Sequence, residues 1–209
     1  MKKEKIILIL NGNLLIKKNF KKFLKNYNSI ICTDGGANKI IDLGIEPNYI
    51  LGDMDSIDKK NLKKYSQNII KLKNQYYNDL HKALLWAKEQ NIKKIDIIGI
   101  DGKRLDHTIG NFSIILECIS FIDITIFTDY GNIYTINKER TFKNCYKKNI
   151  SLFNPIPQNK ITTYGLEYEL NNFSLKTMYS GTLNTAINDE ITVKTKNKIL
   201  IFISKERID

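Results

Sequence analysis

Up to about residue 130 the chain alternates between two hydrophobic patterns. Near-continuous apolar runs of strand length occupy residues 5–10, 29–33, 49–51, 69–72, 94–99 and 123–127. Between them, apolar residues recur at helical spacing. Leu15, Phe20, Phe23, Leu24 and Tyr27 mark a helix over 14–27, and 58–65 reads as a short amphipathic helix. Asn78-Asp79 caps a helix whose inner positions are Leu80, Ala83, Leu84 and Ala87, and 107–119 forms another. Trp86 is expected to pack against the sheet. A helix over 39–43 is closed by Gly44 at its C′ position, with Pro47 as a stop. Strand–helix alternation of this kind predicts a parallel, doubly wound sheet that binds ligands at the carboxyl ends of its strands.

Beyond about Gly131 the helical period fades. Strand-like runs at 132–136, 150–153, 161–164, 191–195 and 199–203 are separated by Asn-rich and Gly-containing turns. The expected fold class is therefore α/β: an N-terminal parallel-sheet Rossmann-like domain over 1–130, then a C-terminal antiparallel β-sandwich domain over 131–209.

Composition narrows the functional classes. The chain has 209 residues, 42% of them hydrophobic, and no apolar run long enough for a membrane span. Residues 6–10 are too short for a signal-peptide core, which predicts a cytoplasmic protein with no membrane partner. The three cysteines (Cys32, Cys118 and Cys145) are far apart with no CxxC spacing, so buried free thiols are expected rather than a zinc site. The net charge of +11 invites a nucleic-acid reading, which would predict steep salt-dependent retention on RNA. Against it, the charge is nearly all lysine, spread in pairs such as Lys17-Lys18, Lys59-Lys60 and Lys147-Lys148. An anionic small substrate fits the same charge, and no nucleic-acid partner is expected.

The informative residues are the acids. Asp34, Asp53 with Asp55, Asp79 and Asp106 each stand at or just beyond a predicted strand end. A parallel sheet lines those ends along one edge. Arg104, His107 and the glycines Gly35 and Gly36 share that edge. Singly, Asp79 and Asp106 read as helix caps and His107 as a hydrogen-bonded core histidine. Together, carboxylates with a guanidinium and backbone amides suit a magnesium-bound polyphosphate. Neither a GxGxxG nor a Walker A sequence is present; residues 99–104 end Gly-Lys-Arg where a P-loop needs Gly-Lys-Ser/Thr.

Asp34-Gly35-Gly36-Ala37-Asn38, the run Pro-Asn-Tyr-Ile-Leu-Gly-Asp-Met-Asp-Ser over 47–56, Asp79-Leu80, and Gly-Ile-Asp-Gly-Lys-Arg-Leu-Asp-His-Thr-Ile-Gly-Asn over 99–111 resemble the thiamine pyrophosphokinase family in order and spacing. The resemblance spans nearly the whole chain. It implies transfer of a pyrophosphoryl group from ATP to the thiamine hydroxyl, leaving AMP, by a homodimer with Mg2+ as cofactor and the substrate at the subunit interface. Carried over by position, Asp53, Asp55 and Asp79 resemble metal ligands. Asp34, Arg104, Asp106 and His107 resemble catalytic residues, with Asp106 the first choice of proton acceptor and His107 the second. Gly35, Gly36, Asn38, Arg104 and Asn111 are expected on the ATP side, and Thr182, Leu183 and Asn184 on the thiamine side. This chain has Leu183 where the family usually has Ser, and Tyr76-Tyr77-Asn78-Asp79 where the family has Asp-x-Thr-Asp. A pyrophosphokinase for another heteroaromatic alcohol, such as a hydroxymethylpterin, and a member that binds thiamine without turnover fit the same residues. A phosphatase with Asp53 as nucleophile would need a later lysine and paired acids, for which the chain offers no good candidate.

Overall fold

A computed structural model describes residues 4–14, 20–74, 76–102 and 104–207. Contacts divide the chain into two units: Met1–Ile122 with Ile126–Thr128, and Asp123–Thr125 with Asp129–Asp209. Among the described residues, no helix is long and apolar enough to cross a membrane.

The first unit contains β1 (Ile6–Ile9), α1 (Phe20–Leu24), β2 (Ser29–Thr33), α2 (Asp34–Asp42), β3 (Tyr49–Gly52), α3 (Lys59–Lys64), β4 (Ile69–Lys71), α4 (Asp79–Glu89), β5 (Lys94–Ile98) and α5 (Leu105–Cys118). Residues 15–19 of the expected first helix lie outside the described residues. The strands run parallel in the order β5-β1-β2-β3-β4. β1 is buried along its whole length, as a central strand covered on both faces must be. Successive connections step from β1 out to β4, and the next one returns to the far side of β1. The strand order therefore reverses between β1 and β5, where an open α/β sheet leaves a crevice at its carboxyl edge. The two loops leaving these strands are tied by backbone bonds: Gly12 N donates to Gly99 O at 2.8 Å and Asn13 N to Asp101 O at 2.7 Å.

α2 differs from the expected turn followed by a helix at 39–43. It begins at Asp34, so Gly35 and Gly36 form its first turn and are buried. Crowding explains the glycines. A Cβ on Gly36 would sit 2.4 Å from the carbonyl oxygen of Ile9, and one on Gly35 would sit 2.1 Å from the Asn11 amide nitrogen. α4 starts as expected, with the Asn78 side chain accepting from His81 N at 3.0 Å. Trp86 packs on Tyr49, the first residue of β3, with ring centroids 5.5 Å apart.

β6 (Asp123–Phe127) stands where the chain passes from one unit to the other. The second unit then contains β7 (Gly131–Ile136), β8 (Glu139–Phe142), β9 (Lys148–Phe153), β10 (Lys160–Tyr164), β11 (Phe173–Ser174), β12 (Asn184–Thr185), β13 (Ile191–Thr195) and β14 (Ile199–Arg207). β7-β14-β9-β12 and β11-β10-β13-β8 are its two antiparallel layers. Their inner faces share one core, including Ile136, Leu152, Ile161, Val193 and Ile201. β8, β11 and β12 escape the sequence pattern. β8 presents only Phe142 to the core, and the other two are two residues long. The observed fold is thus the expected parallel α/β unit followed by an antiparallel β unit.

Candidate active site

A cavity of about 430 Å3 opens at the carboxyl edge of the parallel sheet. Its lining includes Asn11 and Gly12 after β1, Thr33 ending β2, Asp53 after β3, Asn78, Asp79, Leu80 and Lys82 at the start of α4, and Gly99, Ile100, Asp101 and Arg104 after β5. His107 and Asn111 of α5 complete it.

The loop after β3 gathers the acids. Gly52 has φ +154, and a Cβ there would stand 3.1 Å from Asp34 Cγ. A side chain there would press on Asp34 beneath the strand end, in a backbone conformation that glycine adopts freely. Met54 then takes φ +73, a left-handed conformation that is costly for a residue with a Cβ. Its partly buried side chain packs against the unit's core. One oxygen each from Asp34, Asp53 and Asp55 lies within 4.8 Å of the others, a hard-oxygen donor set suited to magnesium.

Charge in this cluster is partly compensated. Asp34 is 1% exposed, with Gly35 N donating to it at 2.7 Å and Ser56 N at 3.3 Å. Burial, reinforced by the Asp79 and Asp55 carboxylates against those two amides, pushes its carboxyl up to about 6. Burial also works on Asp53, but the ammonium of Lys82 outweighs it and holds that carboxyl below its usual range. Lys82 Nζ donates to Asp53 Oδ2 at 3.3 Å and to Asp79 Oδ1 at 3.1 Å.

The structure thus groups the expected residues differently. Asp34 joins Asp53 and Asp55, while Asp79 reaches Asp53 through Lys82. Lys82 was not anticipated, although its position three residues after Asp79 on one helix face was a readable signal. Asp101, within the 99–111 run, also lines the cavity. Arg104, His107 and Asn111 also line the cavity. Asn111 braces it, with its Oδ1 accepting from Asn78 Nδ2 at 3.0 Å and its amide donating to Ile100 O at 3.2 Å.

Gly35, Gly36 and Asn38 do not line the cavity. The amide of Gly35 is taken by Asp34, and the two glycines admit the end of β1 and its loop. Asn38 fixes the acid loop, donating to Ser56 O at 2.9 Å and accepting from Asp58 N at 3.1 Å and Asn61 Nδ2 at 2.9 Å. Lys39 holds the loop after β1 through the carbonyl oxygens of Asn11 and Gly12. Asp106 is exposed and gripped in a fork, accepting from Arg104 Nε at 3.1 Å and Nη2 at 2.6 Å. That hydrogen-bonded guanidinium holds its carboxyl below the usual range, which makes it a poor proton acceptor in this state.

The three acceptor-side candidates lie in the second unit. Thr182 Oγ1 donates to Tyr179 O at 2.8 Å. Asn184 accepts from Tyr168 N at 3.1 Å and donates to Tyr168 O at 2.8 Å, so both ends of its amide hold the chain together. Leu183 is 86% exposed with φ +62, a strained conformation for an exposed leucine.

Fold and cavity define a two-unit α/β protein with an acid-lined site at the switch point of its parallel sheet. A family model described as the catalytic domain of thiamin pyrophosphokinase matches residues 20–128, and one described as its substrate-binding domain matches residues 131–202. This chain belongs to the thiamin pyrophosphokinase family. Thiamin pyrophosphokinase 1 of Caenorhabditis elegans is 26% identical over 198 residues, covering 84% of this chain and 79% of that protein. Thiamine pyrophosphokinase of Bacillus subtilis is 31% identical over 158 residues, covering 68% and 70%. The crystal structure of thiamine pyrophosphokinase from Bacillus subtilis superposes with a TM-score of 0.76 at 27% identity, covering 96% of this chain and 98% of that one.

Proposed function

We propose that this chain is a thiamine pyrophosphokinase, moving the β,γ-pyrophosphoryl group of ATP to the thiamine hydroxyl and releasing AMP. The observation that carries this reading is the convergence of Asp34, Asp53 and Asp55 at the switch-point cavity, in a chain matched by both domains of the family. In the reaction a bond forms between the acceptor oxygen and the β-phosphorus. The bond from that phosphorus to the oxygen bridging the α-phosphate breaks, and AMP leaves with the electron pair. The hydroxyl proton departs as the new bond forms.

Asp34, Asp53 and Asp55 are the residues to hold Mg2+. Bound there, the ion supplies positive charge that neutralises polyphosphate oxygens. The remaining work falls to positioning, because a loose phosphoryl-transfer transition state asks little of a base. Arg104 offers a planar guanidinium to phosphate oxygens once released from Asp106. Asn38, Lys39 and Asn111 keep the acid loop and the cavity walls in place. His107 lines the cavity and replaces Asp106 as the preferred proton acceptor. The enzyme acts as a cytoplasmic homodimer in this reading, supported by family membership and by the exposed Tyr168, Tyr179 and Leu183 of the second unit.

The test is a product assay with ATP, magnesium and thiamine that separates AMP from ADP. AMP with thiamine diphosphate is expected. ADP would mean single phosphoryl transfer and would refute the mechanism. No turnover with thiamine but turnover with a pterin alcohol would transfer the same chemistry to another heteroaromatic acceptor, a result for which Leu183 provides the motive.

A further inference from the structure

Lys82 lies on the inner face of α4 with only 5% of its side-chain surface exposed. Lysine is rarely buried so deeply unless it is paired. Its two partners come from different parts of the chain: Asp53 follows β3 and Asp79 opens α4. Asp53 is also one of the three acids whose oxygens converge. The same carboxylate therefore serves an ammonium already present and the cation this site is built to take. Two cations a few ångströms apart in a partly desolvated cavity repel each other strongly.

We infer that Lys82 is the resident counter-ion of the acid cluster, so that a divalent cation alone binds weakly and enters together with the polyphosphate. The inference rests on the magnesium reading above. Without metal, Lys82 keeps Asp53 and Asp79 from repelling each other and keeps the cluster assembled. A polyphosphate changes the balance, because its negative charge offsets both cations and gives the ammonium a phosphate oxygen to donate to. Lys82 thereby couples metal binding to nucleotide binding.

Lys82→Met removes the charge at nearly constant length. Binding of Mn2+ alone, without nucleotide or thiamine, is followed through the electron paramagnetic resonance signal of the free ion. The wild type is expected to bind it weakly and Lys82→Met about tenfold more tightly or better, the scale of removing a like charge a few ångströms away. Lys88→Met, on the same helix but placed over the Phe121 ring, should match the wild type. Equal affinity in wild type and Lys82→Met, with Mn2+ bound by both, overturns this inference and leaves the metal site standing. No Mn2+ bound by either protein, even with a non-hydrolysable ATP analogue, overturns the metal reading and this inference with it. The wild type provides a check that does not need the variant to fold. Magnesium alone should leave its melting temperature nearly unchanged, and magnesium with tripolyphosphate should raise it. An equal rise with magnesium alone overturns the inference.

Discussion

Asp34→Asn should change stability in opposite directions on the two sides of mildly acidic pH. The Asp34 carboxyl is pushed up from 3.8 to about 6 in the folded chain, first by burial and then by Asp79 and Asp55. An acid whose folded pKa exceeds its unfolded one destabilises the fold when ionised. Below about pH 3.8 both states hold the proton and nothing is lost. Above about pH 6 both are ionised, and the folded state has lost the full difference, about 3 kcal/mol. Stability of the metal-free wild type therefore falls as pH rises through that window. Asparagine is spared this loss, but its amide nitrogen cannot accept the Ser56 amide, which costs about 1 kcal/mol. The variant should be slightly less stable than wild type at about pH 4 and about 2 kcal/mol more stable at about pH 7.5, with the curves crossing between. Urea unfolding in the presence of a chelator, repeated across this range, measures the difference directly. Parallel curves would refute the account of Asp34 as a buried acid held among like charges. Magnesium added together with tripolyphosphate should stabilise the wild type at neutral pH and leave the variant nearly unaffected.

Three further outcomes are expected. Gly52→Ala forces a Cβ to 3.1 Å from Asp34 Cγ, against a side chain clamped by the Gly35 and Ser56 amides; it should cost about 1–3 kcal/mol in urea unfolding and weaken metal binding in calorimetry. Asn78→Ala removes the α4 cap and should cost about 1 kcal/mol by thermal melting, whereas Asn78→Thr, which can still cap, should stay within about 0.5. Asp55→Asn should lower turnover about a hundredfold or more in the AMP-release assay, and unchanged turnover at saturating magnesium would exclude Asp55 from the metal set.

Parts of the site were legible because strand ends are legible. Asp53-Met54-Asp55 directly follows an apolar run and a glycine, so its place at the sheet edge follows from periodicity and turn chemistry. The roles of its neighbours were less accessible. Gly35 and Gly36 read as a phosphate loop, since two glycines between a strand and a helix commonly make one. Here they are buried helical residues whose missing side chains admit the end of β1 and Asn11. Asp106 read as a base, yet Arg104 two residues earlier occupies both its oxygens.

Local pattern alone determined that the first unit alternates strand and helix, that the second is made of strands, and that acids stand at strand ends. Each of these is a property of one segment, recorded in which of its positions are apolar. Tertiary structure decided the order β5-β1-β2-β3-β4 and with it the crevice between β1 and β5. It also brought Asp34 to Asp53 and Asp55 and set the Lys82 ammonium between Asp53 and Asp79. Lys82 and Asp53 are 29 residues apart, and no period within either segment encodes the distance between their charged atoms. That distance is set by which strands pair and how α4 packs on them, so only the assembled fold could reveal the cation inside the acid cluster.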